Sequence, residues 1–335
     1  MEAPTNILTD TLGRQHNYLR ISLTEKCNLR CTYCMPAEGV PLTPSKDLMS
    51  AEELFQLAKL FVAHGVNKIR LTGGEPLVRK DFIPILEKLA TLPVALTLTT
   101  NAVLVDRFIG ALKTAGVKKI NVSLDTLNSL RFQKVTLKAN FHQVQKNLDL
   151  LLGEGFDVKI NVVLLRGVND DEIIDFILLT QQQPFSIRFI EFMPFDGNNW
   201  DRSKTVGLEE IQERIATRFG KEQVQKLPAA QNDTTKNFKI KGFLGSYGII
   251  STVTHPFCDS CNRLRLTANG KLRNCLFSEK ESDLLTAYRA GQSIEPMIEK
   301  AVRGKFAVRA GLDSPVKFDD PSHHSKNRSM IRIGG

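Results

Sequence analysis

The sequence predicts an α/β protein whose strands pair in parallel. Three observations lead there: short β-rich apolar segments recur as far as Pro194, helical patterns separate them, and several of those helices carry recognisable start or stop signals. Alternating strands and helices require parallel pairing through right-handed crossovers.

In chain order, Tyr18 to Thr24 reads as the first strand. Ser50 to Ala63 reads as a helix, because Ser50 with Glu53 forms a capping box ahead of a helical apolar period. Lys68 to Thr72 is a short strand. Asp81 to Thr91 is a helix that tolerates Pro84 in its first turn. Val94 to Thr100 is a strand, and Val103 to Ala115 a helix stopped by Gly116. Lys119 to Leu124 is a strand, Phe141 to Leu152 a helix stopped by Gly153, and Val158 to Leu165 a strand. Asp170 to Leu179 is a helix and Ser186 to Met193 the sixth strand. Six strands and five helices suit an open doubly wound sheet or a barrel-like sheet, and periodicity does not choose between them. Beyond Pro194 the rhythm fails. Gly207 to Phe219 looks helical, and Phe238 to Ser251 looks like paired strands about a Gly-rich turn. The expected division is therefore 1–194 and 195–335.

With 42% hydrophobic and 24% charged residues over 335, the chain is long and apolar enough to bury a core. No apolar run approaches the ~20 residues of a membrane-spanning helix. Met1 to Asp10 holds Glu2 and Asp10 and no Arg, unlike a signal or transit peptide. The expectation is a cytoplasmic protein with no membrane partner. The charge of +9, from 45 basic and 36 acidic residues, favours an anionic partner. The basic residues are spread out, with no polybasic block, so a solvated surface accounts for most of them and nucleic acid is not expected. The six cysteines fall in two triplets, Cys27, Cys31, Cys34 and Cys258, Cys261, Cys275, a spacing unlike a disulfide framework.

The first triplet is C-x3-C-x2-C and follows the first strand. Structural zinc needs a fourth ligand, and none lies nearby. Three thiolates on a four-iron cluster leave one iron open to another ligand. The second strand runs into Leu71-Thr72-Gly73-Gly74-Glu75-Pro76, which a plain strand-to-helix turn would also explain. Triplet and GGEP stretch together, at the ends of consecutive strands, resemble the radical S-adenosylmethionine (SAM) superfamily. The resemblance implies a [4Fe-4S] cluster on Cys27, Cys31 and Cys34, SAM on its open iron, and SAM contacts from Tyr33, Gly74, Ser123 and Met193. It also implies an incomplete (β/α)6 TIM-like barrel with a smaller C-terminal region closing the open side. Other strand ends, Thr99-Thr100-Asn101 and Ser123-Leu124-Asp125, and the sixth strand Arg188 to Pro194 have ordinary readings as turns, caps or core.

The second triplet is C-x2-C-x13-C, which by spacing alone suits zinc as well as a cluster, with His255 a candidate fourth ligand. Its surroundings, Phe257 to Leu266 and Gly270 to Leu276 with the terminal Ile333-Gly334-Gly335, resemble the molybdenum-cofactor GTP cyclase family over Tyr18 to Gly335. That resemblance implies a second [4Fe-4S] cluster on Cys258, Cys261 and Cys275, and GTP lying between the clusters. The implied product is (8S)-3′,8-cyclo-7,8-dihydroguanosine 5′-triphosphate. Implied GTP contacts are Arg20, Arg70, Thr99, Lys159, Arg263, Leu264 and Arg265, with Arg188 a further candidate. Arg20, Lys159 and Arg188 interrupt apolar strands, where a charge needs a partner, either a ligand or a salt-bridged carboxylate. Implied partners are an electron donor such as flavodoxin or ferredoxin and a hand-off to the cyclic pyranopterin monophosphate synthase; a homodimer is compatible. The tail would enter the active-site channel. The chain departs from the family at Ala102, at Leu137 after Thr136, and at Asn147, where glycine is common, which bears on local loop shape. His323-His324 reads as an exposed polar turn. The alternatives are a peptide-modifying radical SAM enzyme, which leaves the Arg263-Leu264-Arg265 run unexplained, and a zinc-stabilised nucleic-acid-binding protein, which leaves GGEP unexplained.

Overall fold

The computed structural model describes residues 6–36, 38–324 and 327–334. Six parallel strands lie in sequence order: β1 (Tyr18–Ser22), β2 (Lys68–Thr72), β3 (Ala95–Thr100), β4 (Lys119–Ser123), β5 (Asp157–Leu164) and β6 (Ser186–Glu191). This order fits the incomplete (β/α)6 barrel that the resemblance implies. Its strands alternate in side-chain direction. Leu19, Ile21, Ile69, Leu71, Ile120, Val122, Ile160, Val162, Ile187 and Phe189 are all buried in the main apolar core, which they share with buried faces of the helices Ala51–Ala63, Phe82–Ala90, Phe141–Gly153 and Ile173–Gln182. The intervening residues are largely polar.

The C-terminal strands do not form a sheet of their own. β9 (Ser246–Ile250) adds in parallel to β6, and β10 (Arg263–Leu266) adds in parallel to β1. Antiparallel β8 (Lys236–Ile240) and β7 (Val224–Lys226) continue beyond β9, and β11 (Lys271–Arg273) and β12 (Ser282–Asp283) beyond β10. Residues after 194 thus extend both edges of the barrel sheet. The strand pair expected in Phe238 to Ser251 is β8–β9, and the Ser50 capping box is present.

The helix expected over Val103 to Ala115 is broken into a turn at Val105–Arg107 and a helix at Ile109–Thr114. The interruption falls at Phe108 (φ −120°, ψ 0°), and buried Asn147 braces the turn that precedes it. Its Nδ2 donates to the carbonyls of Ala102 (2.6 Å) and Val103 (3.4 Å). Two departures from the family pattern therefore meet in space, and Ala102 is held in the left-handed region at φ +60°. A second apolar cluster, Phe195, Val253, Phe277, Leu312, Phe318 and Ile333, packs the C-terminal segments together. Phe277 contacts Phe195 and Phe318, and Trp200 contacts Phe318 and His324. Ile333 in this cluster fixes where the tail runs.

Candidate active site

The first triplet occupies the loop after β1. This loop rests on a helix absent from the sequence reading, Ser129–Thr136: Arg30 N donates to Thr136 O (2.9 Å) and Thr32 N to Val135 O (3.0 Å), satisfying carbonyls that a helix end leaves open. The GGEP turn packs directly against the same loop. A Cβ on Gly74 would lie 2.5 Å from Lys26 O, and one on Gly73 would lie 2.7 Å from Thr24 O. The glycines thus permit close approach of two backbones. Buried Glu75 locks the turn, accepting from Leu77 N (3.1 Å), Thr100 Oγ1 (2.8 Å) and Asn101 N (2.7 Å).

Cys27, Cys31, Cys34, Tyr33, Gly74, Thr99 and Ser123 line one cavity at the C-terminal ends of the strands. Burial pushes the Cys27 thiol up to about 11 and Cys34 to about 12, and Cys31 well above its ordinary value. Tyr33 donates to Asp125 Oδ2 at 2.6 Å, and burial raises the Asp125 carboxyl to about 6.

A second cavity of about 550 Å³ is lined by the other triplet. Asn161, Ile190 and Met330 line both cavities, so the two adjoin. The lining of the second is dominated by cations, and strand register explains why. Arg265, Arg20 and Arg70 stand level on β10, β1 and β2, and one layer away stand Arg263, Tyr18 and Lys68. Across the lumen, Asn121 is level with Lys159, and Asn161 with Arg188. Lys119 and Arg309 complete the set, while the acidic lining residue is Asp233.

This crowd is not neutralised from within. Burial, then Arg70, lowers Arg188 to about 10; burial and Arg263 lower Arg265 to about 10. Burial and Arg188 lower Lys159 to about 8. Burial alone would raise the Tyr18 phenol, but Arg70, Arg20, Arg263 and Lys68 bring it down to about 6. Among the described residues, Arg188 Nε, Arg263 Nε and Arg309 Nε are buried without a hydrogen-bond acceptor. Such atoms call for an anion.

Two comparisons with known proteins bear on identity. A family profile described as the radical SAM superfamily matches residues 21–180, and one described as molybdenum cofactor synthesis C matches 185–310. "GTP 3′,8-cyclase" of Moorella thermoacetica is 42% identical, covering 98% of this chain and 100% of that protein. The chain belongs to the radical SAM superfamily. "GTP 3′,8-cyclase, mitochondrial" of Arabidopsis thaliana is 44% identical over 99% of this chain and 84% of that one. "Molybdenum cofactor biosynthesis protein 1" of Mus musculus is 46% identical over 98% of this chain, and the chain spans about half (51%) of that relative's length. In solved structures the fold is shared with Streptococcus suis SuiB bound to S-adenosylmethionine, at TM-score 0.57 and 18% identity, over 81% of this chain and 65% of that one.

The cofactors of this radical SAM protein are two [4Fe-4S] clusters and SAM, and the donor sets fit them. Among the described residues no three Cys, His, Asp or Glu side chains close on one point as ligands of a single ion do. Three thiols spread around a cavity suit a cluster, in which each thiolate holds its own iron. His255, the fourth ligand of the zinc alternative, instead pairs with Glu209 at 3.2 Å on the surface. His323 pairs with Glu279, and His324 Nε2 donates to Phe318 O at 2.7 Å beside Trp200.

The structure distributes the other candidates as follows. Met193 lines the second cavity, not the cysteine cavity of Tyr33, Gly74 and Ser123. Thr99 lines the first cavity and accepts from Arg70 Nη1 at 3.3 Å. Leu264 is fully buried with its side chain in the apolar core, on the opposite face from Arg263 and Arg265. Arg265 Nη1 donates to Gly334 O at 2.6 Å, and a Cβ on Gly334 would lie 2.6 Å from Thr72 Oγ1. The tail therefore reaches the strand ends between the triplets; Gly335 lies outside the described residues. Sequence reasoning missed Lys68, Lys119, Asn161 and Arg309. For the first three a signal existed: polar residues at every second position of β2, β4 and β5 mark a wet face. Arg309 had none, because a short turn, Arg309–Gly311, delivers it outside any strand period.

Proposed function

We propose that this chain is a GTP 3′,8-cyclase, joining C3′ of the ribose of GTP to C8 of its guanine in the first step of molybdenum-cofactor biosynthesis. The observation that carries the reading is two cysteine triplets facing one lumen, with a cation-lined cavity between them. When bound, the first cluster and SAM supply a 5′-deoxyadenosyl radical. The chain's own residues do the rest. Arg20, Lys68, Arg70, Lys159, Arg263 and Arg265 hold the triphosphate as charge-assisted donors. Cys258, Cys261 and Cys275 would hold the second cluster, which would offer the base an anchor. Separate anchors for base and phosphates orient the ribose toward the first cavity, a proximity effect. Tyr33, Gly74 and Ser123 face SAM. The barrel wall and the tail keep water from the space between.

We place residues 1–194 as the SAM-activating unit and 195–335 as the substrate-anchoring one. The reaction takes its electron from a donor such as flavodoxin or ferredoxin and passes its product to the cyclic pyranopterin monophosphate synthase. No described helix is long and apolar enough to cross a membrane, and we place the enzyme in the cytoplasm, where six thiols stay reduced. The test is anaerobic: reconstitute with iron and sulfide, add dithionite and SAM, and follow 5′-deoxyadenosine with and without GTP. About eight irons and sulfides per chain with GTP-dependent deoxyadenosine support the reading; two clusters without response to GTP refute the substrate. Cys27→Ala abolishes SAM cleavage.

A further inference from the structure

Lys305 is a lysine in an unusual place. It follows Gly304, the C-cap of the helix Glu295–Arg303, and is 6% exposed. A buried ammonium is costly unless paired, and among the described residues no carboxylate lies within ion-pair reach of it. Its three N–H donors instead find three acceptors: Arg263 O at 3.0 Å, His16 Nδ1 at 3.5 Å and Cys261 Sγ at 3.5 Å.

The surroundings hold it there. His16 Nε2 lies 3.2 Å from Asp10 Oδ2, and Asp10 also accepts from Arg14 Nε at 2.6 Å. A carboxylate at Nε2 places the ring proton on that nitrogen, leaving the Nδ1 lone pair toward Lys305. Arg14 in turn donates to Cys258 O, Phe306 O and Ala307 O. Arg14, Lys305 and Arg309 thus bring the segments 8–16 and 305–309 against Cys258 and Cys261. Of Lys305's three acceptors, the imidazole and the carbonyl are neutral. Only a cysteine thiolate offers negative charge.

We infer that Lys305 is a positioning residue for the second cluster, supplying through Cys261 the buried counter-charge and N–H···S donor that set its redox potential, with His16 and Asp10 aiming the ammonium. This rests on the second triplet holding a cluster. Three thiolates make the cluster an anion, and reduction adds a further negative charge. A fixed cation beside one ligand favours the reduced state, so the potential is higher than it would be without it.

The test uses the full chain carrying Cys27→Ala, Cys31→Ala and Cys34→Ala, reconstituted anaerobically, so that the EPR signal belongs to the second cluster alone. The midpoint potential is read by EPR-monitored titration with Lys305 intact, with Lys305→Met and with Lys305→Gln. The expected result is a shift to more negative potential in Lys305→Met at unchanged iron content, with Lys305→Gln, which keeps a donor without charge, between the two. Full cluster content at the parental potential in both variants overturns the inference. Where a variant fails to hold the second cluster, it is remade with native cysteines. Restoration of the second cluster by Lys305→Arg, which keeps the charge, supports the inference, and loss of about four of about eight irons in that variant too overturns it. A parent chain that takes up zinc and no sulfide instead defeats the cluster reading, a separate outcome.

Discussion

Glu191 ends β6 with its carboxylate fully buried, and Glu191→Gln is the change from which the structure predicts the most. Its Oε2 accepts from Val253 N (2.7 Å) and Thr254 N (2.9 Å), and its Oε1 accepts from Leu208 N (3.2 Å) and the Thr254 hydroxyl. One carboxylate therefore clasps the segments entering the helix Leu208–Phe219 and leaving β9 to the end of the barrel. Glutamine keeps shape and volume but presents oxygen on one side only. With that oxygen toward Val253 and Thr254, the NH2 group confronts the Leu208 amide. One buried amide is then left unpaired, at about 1–3 kcal/mol, and two charge-assisted bonds become neutral ones, at about 1 kcal/mol each. The expected loss is about 3–5 kcal/mol, read as a lower denaturant midpoint at unchanged slope. Because Val253 and Thr254 lead into Cys258, and Arg309 Nη1 donates to Val253 O at 3.0 Å, the variant also loses iron from the second triplet before the first. A destabilisation under about 1 kcal/mol with full iron content would refute the clasp.

Three further outcomes are expected. Arg265→Ala removes a buried charge-assisted donor and frees Gly334, weakening GTP binding by about 2–3 kcal/mol, roughly 30- to 150-fold, while iron stays at about eight per chain; equilibrium binding with iron analysis checks it, and loss of iron would make the residue structural. Lys159 is half-buried with a pKa lowered to about 8 by burial and Arg188, so it loses its charge as pH rises through that value. Affinity for GTP accordingly falls above pH about 8, and Lys159→Met flattens that dependence; a parallel decline in the variant would exclude Lys159 as its source. Leu137 caps the helix Ser129–Thr136 at φ +55° and is 47% exposed, so Leu137→Gly relieves a left-handed strain and stabilises the apo chain by about 0.5–1 kcal/mol in chemical denaturation; a loss of stability there would mean that its side chain packs.

Local signals carried far into this fold. Apolar segments bounded by caps located β1 to β6 within one to two residues at most ends, because each strand buries one face against helices and its composition records that burial. The cysteine spacing and GGEP were legible for the same reason: thiolate ligands and close backbone approach each demand one residue type at one position. The sequence by itself thus determined the alternating architecture, both triplets and a cationic character. Only the tertiary structure decided how these meet. Arg14 and Cys258, 244 positions apart, and Lys305 and His16, 289 apart, are brought together as β9 and β10 add to opposite edges of one sheet. No local pattern encodes that closure. Strand register likewise decided that Arg263 and Arg265 face the lumen while Leu264 between them joins the core. A side chain's direction is a property of the pairing it enters, and pairing is non-local.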